Sequence, residues 1–344
     1  MAMNAMVLNH ITDIQSKYHP LRKVQLPDPV PGERDILIRV TVCGVCHTEL
    51  DEIEGRTPPS HFPMVLGHEV VGRVQEIGKK AKRFKMGDRV GVGWFYSSCG
   101  KCSFCASGNE NLCKDFKATG RDAFGGYAEY MVVPEDSAFA IPDIFTDAEA
   151  APLLCAGAVG YRSFRLANLK KDQNLGLTGF GASAHLVLQM AKHLYPTSRI
   201  FVFARSEKER RFAKELGAVW AGGTEETSPE KLHAMIDTTP VWKPIVEALR
   251  NLEAGGRLVI NAIRKEDSDK ECLLKLSYPT HLWLEKEIKS VANVTRMDIR
   301  EFMEIAAEIP VKPEVQEYPL EEANKALGEM KEGRIRGAKV LRVH

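Results

Sequence analysis

No charge of one sign dominates this 344-residue chain: 47 lysines and arginines stand against 46 aspartates and glutamates, a formal net charge of +1. That balance gives no electrostatic case for nucleic acid or an anionic membrane as a partner. No apolar run approaches the roughly 20 residues needed to span a bilayer. The opening Met1-Ala2-Met3-Asn4-Ala5 lacks the basic region and long apolar core of a signal peptide, so a cytoplasmic protein is expected. Internal repeats and low-complexity tracts are also missing. At roughly 150 residues per domain the length suggests two domains.

Cysteine is plentiful and unevenly placed: six of the eight fall within the first 113 residues. Clustered cysteines in a reducing compartment are more often metal ligands than disulfides.

Short strand candidates broken by Gly and Pro fill residues 1–150, among them Ile36–Val42, Val70–Gly78, Met86–Val92 and Gly125–Val133. They predict a β-rich, barrel-like domain. The texture changes near residue 150. Ala148–Ala167 has helical spacing. Strand and helix candidates then alternate: Leu175–Thr178, Ala182–His193, Ile200–Ala204, Glu207–Leu216 stopped by Gly217, and Leu258–Ala262. This alternation predicts a doubly wound parallel sheet. Helices over Arg300–Glu308 and Leu320–Lys331 and a closing strand over Ala338–Val343 suggest that the tail returns to the first domain.

Cys99, Cys102, Cys105 and Cys113 form C-x2-C-x2-C-x7-C. Four thiolates this close can surround one ion at about 2.3 Å, and structural zinc is the reading adopted. An iron–sulfur cluster fits less well, because that bacterial run closes as C-x3-C-P; here seven residues precede the last cysteine and Lys114 follows it. Two disulfides or four free thiols are the bland alternative. A second set is scattered: Cys46, His68 and Cys155 would supply the three ligands of a catalytic zinc, with Glu49 and Glu69 as partners orienting the histidine or tuning the metal. Each of these residues taken singly is more often a core residue than a ligand.

Gly179-Phe180-Gly181-Ala182-Ser183-Ala184 matches G-x-G-x-x-G/A between a strand and a helix, the context of a dinucleotide loop built on Gly179, Gly181 and Ala184. The acid that bonds an NAD ribose is expected about 20 residues on, but the strand there ends in Ala204-Arg205-Ser206. Arg205 and Ser206 suit a 2′-phosphate, which predicts NADP(H) over NAD(H). The alternative is that Arg205 is only a solvated surface residue.

Together with Gly44–Glu49, Gly67–Gly72, Gly125–Tyr130 and Ala151–Gly157, in matching order and separation, these features resemble the zinc-dependent alcohol dehydrogenases of the medium-chain dehydrogenase/reductase superfamily over essentially the whole chain. The resemblance implies a GroES-like catalytic domain (1–156 and 296–344), a Rossmann domain (157–295) and an active site in the cleft between them. It implies two Zn2+ per chain, one on Cys46, His68 and Cys155 and one on the four-cysteine loop. Cys43 and Cys272 match no ligand. His47 would meet the cofactor phosphates, Thr48 would shuttle the substrate proton, and Trp94 would line the substrate pocket or else be core. Glu69 and Asp51 complete the expected catalytic group. Asp51 stands where some members carry a relaying histidine, and it could relay a proton, accept one from the ribose or face solvent. Glu49 replaces the usual aspartate. Ala338 replaces a phosphate-binding arginine, for which Arg336 or Lys339 could compensate.

The implied reaction is reversible hydride transfer between a primary or secondary alcohol, medium-chain or aromatic, and NADP(H). The cellular direction would be aldehyde reduction, and the assembly a homo-oligomer, dimer or tetramer. A zinc-free quinone or enoyl reductase, or a non-catalytic nucleotide-binding protein on the same fold, would be separated from this reading by zinc stoichiometry. The apolar stretch Leu273–Leu284, with Trp283, is a candidate interface or ordinary core.

Overall fold

The computed structural model describes residues 2–14, 19–309, 311–334 and 337–344. The chain divides into two compact units, Met1–Cys155 with Val294–His344, and Ala156–Asn293.

The first unit opens with strands β1 (Ala2–Leu8) and β2 (Leu21–Pro27), an antiparallel pair that the sequence reading did not place. Then follow β3 (Asp35–Val45), helix α1 (His47–Ile53), β4 (Met64–Val65), β5 (Val70–Ile77), β6 (Arg89–Val92) and β7 (Phe95–Ser97). The short helix α2 (Ser103–Ala106) precedes β8 (Lys117–Ala118), β9 (Tyr130–Pro134), β10 (Ala138–Ala140) and helix α3 (Asp147–Pro152). The long strand β3 is central. Ile36, Ile38 and Val40 point into the core, and its edges pair antiparallel with β5 and β9. The last of the expected strands begins at Tyr130 rather than Gly125. The Gly125 and Gly126 N–H groups bond instead to the carbonyls of Val65 and Gly67, and at both glycines a Cβ would collide with neighbouring groups. These glycines let one loop lie flat against the turn that carries His68.

In the second unit, helix α4 (Ala158–Ala167) leads to β11 (Leu175–Thr178), α5 (Ala182–Leu194), β12 (Ile200–Phe203), α6 (Glu207–Glu215), β13 (Trp220–Gly222), β14 (Leu232–Asp237), α7 (Lys243–Asn251), β15 (Leu252–Ile260) and β16 (Glu287–Ser290). The parallel sheet runs β13-β12-β11-β14-β15-β16, the doubly wound order with its switch point beside β11. Every residue of β11 and β12 is buried, as strands covered on both faces must be. β15 starts six residues earlier than expected and runs through Gly255-Gly256, where Gly255 takes a φ of 68°.

The chain then returns to the first unit with helix α8 (Arg296–Glu308), β17 (Val315–Pro319), helix α9 (Ala323–Lys331) and β18 (Ala338–Arg342), which pairs with β3. Among the described residues, no helix is long and apolar enough to cross a membrane.

Candidate functional site

Two groups of ligand-type side chains converge in the first unit. The donor atoms of Cys46, His68, Glu69 and Cys155 all lie within 4.8 Å of one another, and so do those of Cys99, Cys102, Cys105 and Cys113.

Cys46 sits where β3 gives way to α1, and its sulfur accepts the Thr48 N–H at 3.3 Å. Glu49, three residues on, closes the cap: its Oε2 accepts the Cys46 N–H at 2.8 Å while its Oε1 lies 2.7 Å from His68 Nδ1. One buried carboxylate thus fixes both residues and leaves His68 Nε2 facing Cys46 Sγ at 3.6 Å. The extra methylene of Glu49 does not prevent the contact. Glu69 follows directly and packs on Gly44, where a Cβ would overlap its carboxylate. Cys155 comes from a π-helical turn, Leu153–Gly157, after Pro152 interrupts the helical run. Such wide turns recur at functional sites.

The chemistry of this set fits a zinc ion. Two ligands bonded to one tetrahedral ion at about 2.3 Å (S) and 2.0–2.1 Å (N) stand about 3.6 Å apart, the separation found for Cys46 and His68. The negative groups also crowd one another. The hydrogen bond with Cys155, together with burial, holds the Cys46 thiol well above its ordinary value, and burial pushes Glu69 up to about 7. Burial alone would lower His68, but the charges of Glu49 and Cys46 outweigh it and raise the imidazole. Protons shared among acidic ligands are those a divalent cation displaces on binding.

In the second set Cys102 Sγ lies 3.5 Å from Cys105 Sγ, and Cys99 Sγ lies 3.9 Å from it, bracketing the roughly 3.8 Å expected between thiolates on one tetrahedral zinc. Backbone N–H groups of Lys101 and Cys102 draw the Cys99 thiol down to about 6. Cys43 and Cys272 are buried and belong to neither set.

The other expected residues lie nearby in the fold. Thr48 is half-buried on the first turn of α1, and His47 is exposed beside it. Asp51 is enclosed, not solvent-facing, and accepts from Arg56 Nε at 2.5 Å. Trp94 is buried with its ring under the Arg121 guanidinium (5.1 Å) and beside Phe116 (5.3 Å). Reading the sequence overlooked Glu52. Three acids in one seven-residue helix suggest a solvated face, yet Glu49, Asp51 and Glu52 are all buried. The i, i+3 spacing of Glu49 and Glu52 is the signal that they share a face.

In the second unit the glycine loop has the shape a pyrophosphate requires. Gly179 takes a φ of 74° and lies against Thr238 and Thr239. Gly181 caps helix α5 with no side-chain bond to the first N–H groups, and a Cβ there would meet nothing. The helix N-terminus is therefore open to an anion. Ala184 is fully buried in the helix. At the end of β12 Ala204 is buried and Arg205 is exposed, while the Ser206 hydroxyl caps α6, accepting from Glu209 N and donating to Glu209 Oε2. Arg336 lies outside the described residues. Lys339 is enclosed in the first unit, its Nζ bonded to Tyr318, Glu329 and Gln316, so it is not free to replace the arginine missing at Ala338.

Comparison with known proteins agrees with this arrangement. Residues 32–143 match the family described as "Alcohol dehydrogenase GroES-like domain". The chain is 41% identical over 327 residues to "Probable alcohol dehydrogenase AdhA" of Mycobacterium tuberculosis, covering 94% of this chain and 92% of that one. It is 32% identical to an alcohol dehydrogenase of Geobacillus stearothermophilus, covering 99% of each. Among solved structures, a cinnamyl alcohol dehydrogenase of Sorghum bicolor (SbCAD4) superposes with a TM-score of 0.82 at 26% identity, covering 99% of this chain and 98% of that one. The chain belongs to the zinc-dependent alcohol dehydrogenases of the medium-chain dehydrogenase/reductase superfamily and is an oxidoreductase that works on small-molecule alcohols.

Proposed function

We propose that the enzyme interconverts a primary or secondary alcohol, medium-chain or aromatic, with its carbonyl compound using NADP(H), mainly in the direction of reduction. The observation that carries the cofactor reading is the end of β12. Ala204 offers no carboxylate to a ribose hydroxyl, while the Arg205 guanidinium is exposed and makes no hydrogen bond or ion pair among the described residues. An arginine there can take a 2′-phosphate bidentately.

In this reading Cys46, His68 and Cys155 hold one zinc, with Glu69 within ligand reach, and Cys99, Cys102, Cys105 and Cys113 hold a second. Bound at the first set, zinc supplies Lewis acidity that makes an alcohol hydroxyl easier to deprotonate. Glu49 keeps His68 Nε2 aimed at the ligand cluster. The Thr48 hydroxyl, two residues after Cys46, passes the substrate proton outward, and Asp51 sits one helical turn further along the same face. The bare N-terminus of α5 and the Gly181 backbone take the pyrophosphate, and His47 meets the phosphates. The cofactor carries the hydride, and the protein contributes orientation.

Domain limits of 1–156 with 296–344 and 157–295, a cytoplasmic location and a dimeric or tetrameric assembly belong to the same proposal. The assembly is supported by β16, an edge strand with all four residues exposed.

Initial rates of benzaldehyde reduction by zinc-replete protein, with NADPH and NADH in parallel, test it. Faster turnover with NADPH is expected, and Arg205→Ala should raise the KM for NADPH about tenfold or more while leaving that for NADH nearly unchanged, as loss of a charge-assisted pair predicts. Preference for NADH in the unaltered enzyme would refute the cofactor assignment.

A further inference from the structure

The charged run Arg264-Lys265-Glu266-Asp267 follows β15, and Glu266 and Asp267 are exposed, as a solvated loop would have them. Lys265 is not: its side chain is only 7% exposed and reaches back to the end of β14. Its Nζ donates to Asp237 Oδ2 at 2.5 Å, to the Thr239 carbonyl at 2.6 Å and to the Val241 carbonyl at 3.1 Å, which uses all three ammonium protons. Asp237, the last residue of β14, has no solvent exposure. Its Oδ1 accepts the hydroxyls of Thr178 at 2.5 Å and Thr239 at 2.7 Å.

This network ends at the glycine loop. Thr178 closes β11 directly beside Asp237 and is followed by Gly179. The Thr238 N–H and hydroxyl both donate to the Thr178 carbonyl, at 3.0 and 3.1 Å. A Cβ on Gly179 would stand 2.9 Å from Thr238 Oγ1 and from Thr239 Cγ2, so these two threonines form a wall against which the loop lies. Lys265 holds that wall from both sides, at Asp237 before it and at the Thr239 and Val241 carbonyls beyond. The Glu266 N–H adds a bond to the Pro240 carbonyl at 2.7 Å. A buried ion pair contributes little more stability than apolar residues of the same volume. What so fully bonded a pair fixes is the geometry of the segment around it.

We propose that Lys265 is a positioning residue for the cofactor: through Asp237 and the 238–241 segment it holds the Gly179 loop in the shape that receives a pyrophosphate. This rests on the reading that the glycine loop binds the dinucleotide. With its three protons already taken, Lys265 has none left for a phosphate and acts only through the loop. The pyrophosphate is common to both nicotinamide cofactors, so Lys265 serves NADPH and NADH alike, whereas Arg205 separates them.

The test measures Kd for NADPH and for NADH by nicotinamide fluorescence, with urea unfolding midpoints alongside, in the zinc-replete unaltered enzyme, K265M, K265M/D237N and G179A. K265M leaves a buried carboxylate without its cation and should lower both the midpoint and the affinity. K265M/D237N removes that lone charge, so the midpoint should return toward that of the unaltered enzyme, while the bonds to the Thr239 and Val241 carbonyls stay lost. The double variant is therefore the deciding one. It should still bind both cofactors about fivefold or more weakly, by the same factor for each. Affinity that recovers together with the midpoint would reduce Lys265 to a structural role and overturn the proposal, and so would a weakening confined to NADPH. G179A puts a Cβ where φ is positive and the two threonines leave no room, and it tests the loop reading by itself. If G179A weakens binding while K265M/D237N does not, the loop reading stands and the role of Lys265 falls. If G179A leaves both affinities untouched, the loop reading fails and takes the role of Lys265 with it.

Discussion

What a buried acid does is decided by the group it faces. Glu49 faces an imidazole, and the half-buried Glu329 faces the ammonium of Lys339 at 2.6 Å. The last is a structural case. Lys339 has no solvent exposure and spends its three protons on Glu329, Tyr318 and Gln316. The Lys339 hydrogen bond, helped by the Tyr318 hydroxyl, holds the Glu329 carboxyl below its ordinary 4.5. A depressed native value means that this stabilisation is present above the unfolded value and is lost as pH falls through the native one. Glu329→Gln should therefore cost about 1–3 kcal/mol at pH 7. The gap to the unaltered protein should narrow below about pH 4.5, as read from urea unfolding midpoints at stepped pH. A gap that stays constant down to pH 3.5 would show that the pair does not titrate as described. The four-cysteine loop can be picked out by type and spacing, whereas Cys46, His68 and Cys155 are picked out only through the family resemblance. What faces a given acid depends on the fold, which is why Glu52 and the Lys339 network were illegible.

At the scale of elements, the sequence was readable where chemistry demands a local signature. The β11–loop–α5 unit announces itself through glycines whose positions the backbone requires: Gly179 in the left-handed region and Gly181 at an open helix start. Strands β13 and β14 and helix α7 carry no such mark. Trp220–Gly222 has three residues, and Leu232–Asp237 becomes a strand through its parallel neighbours on both sides. The four-cysteine loop is the clearest local element, since a four-residue helix and tight turns have little else to hold them. A metal held by a fold of that size contributes folding energy directly. Metal analysis should find about two zinc ions per chain, falling to about one in both Cys102→Ser and Cys46→Ser. The two losses should differ in kind: Cys102→Ser lowers thermal stability, whereas Cys46→Ser abolishes turnover with little change in the melting temperature. Equal stability losses in the two variants would contradict the assignment of one structural and one catalytic ion.

For the whole molecule, the sequence left Leu273–Leu284 open between core and interface, and the structure divides it. His281 is buried, while Leu274, Tyr278, Trp283 and Leu284 are exposed by 54–89%. These residues precede β16, whose outer edge has no strand partner among the described residues and whose Ile288 is 46% exposed. Open strand edges flanked by large apolar side chains are costly to leave in water, and native proteins usually cover or charge them. A second copy of the same edge is the simplest cover, since a twofold pairing satisfies both edges at once. Proline at an edge position removes a ladder N–H without adding charge, so Ile288→Pro should convert the proposed oligomer to a species of half the mass or less in light scattering. Each second unit should keep its own fold, because its internal parallel pairs lie away from that edge, and NADPH binding should survive. An unchanged mass with folded protein would place the interface elsewhere, while loss of cofactor binding together with mass would mean that β16 holds up the sheet rather than the assembly.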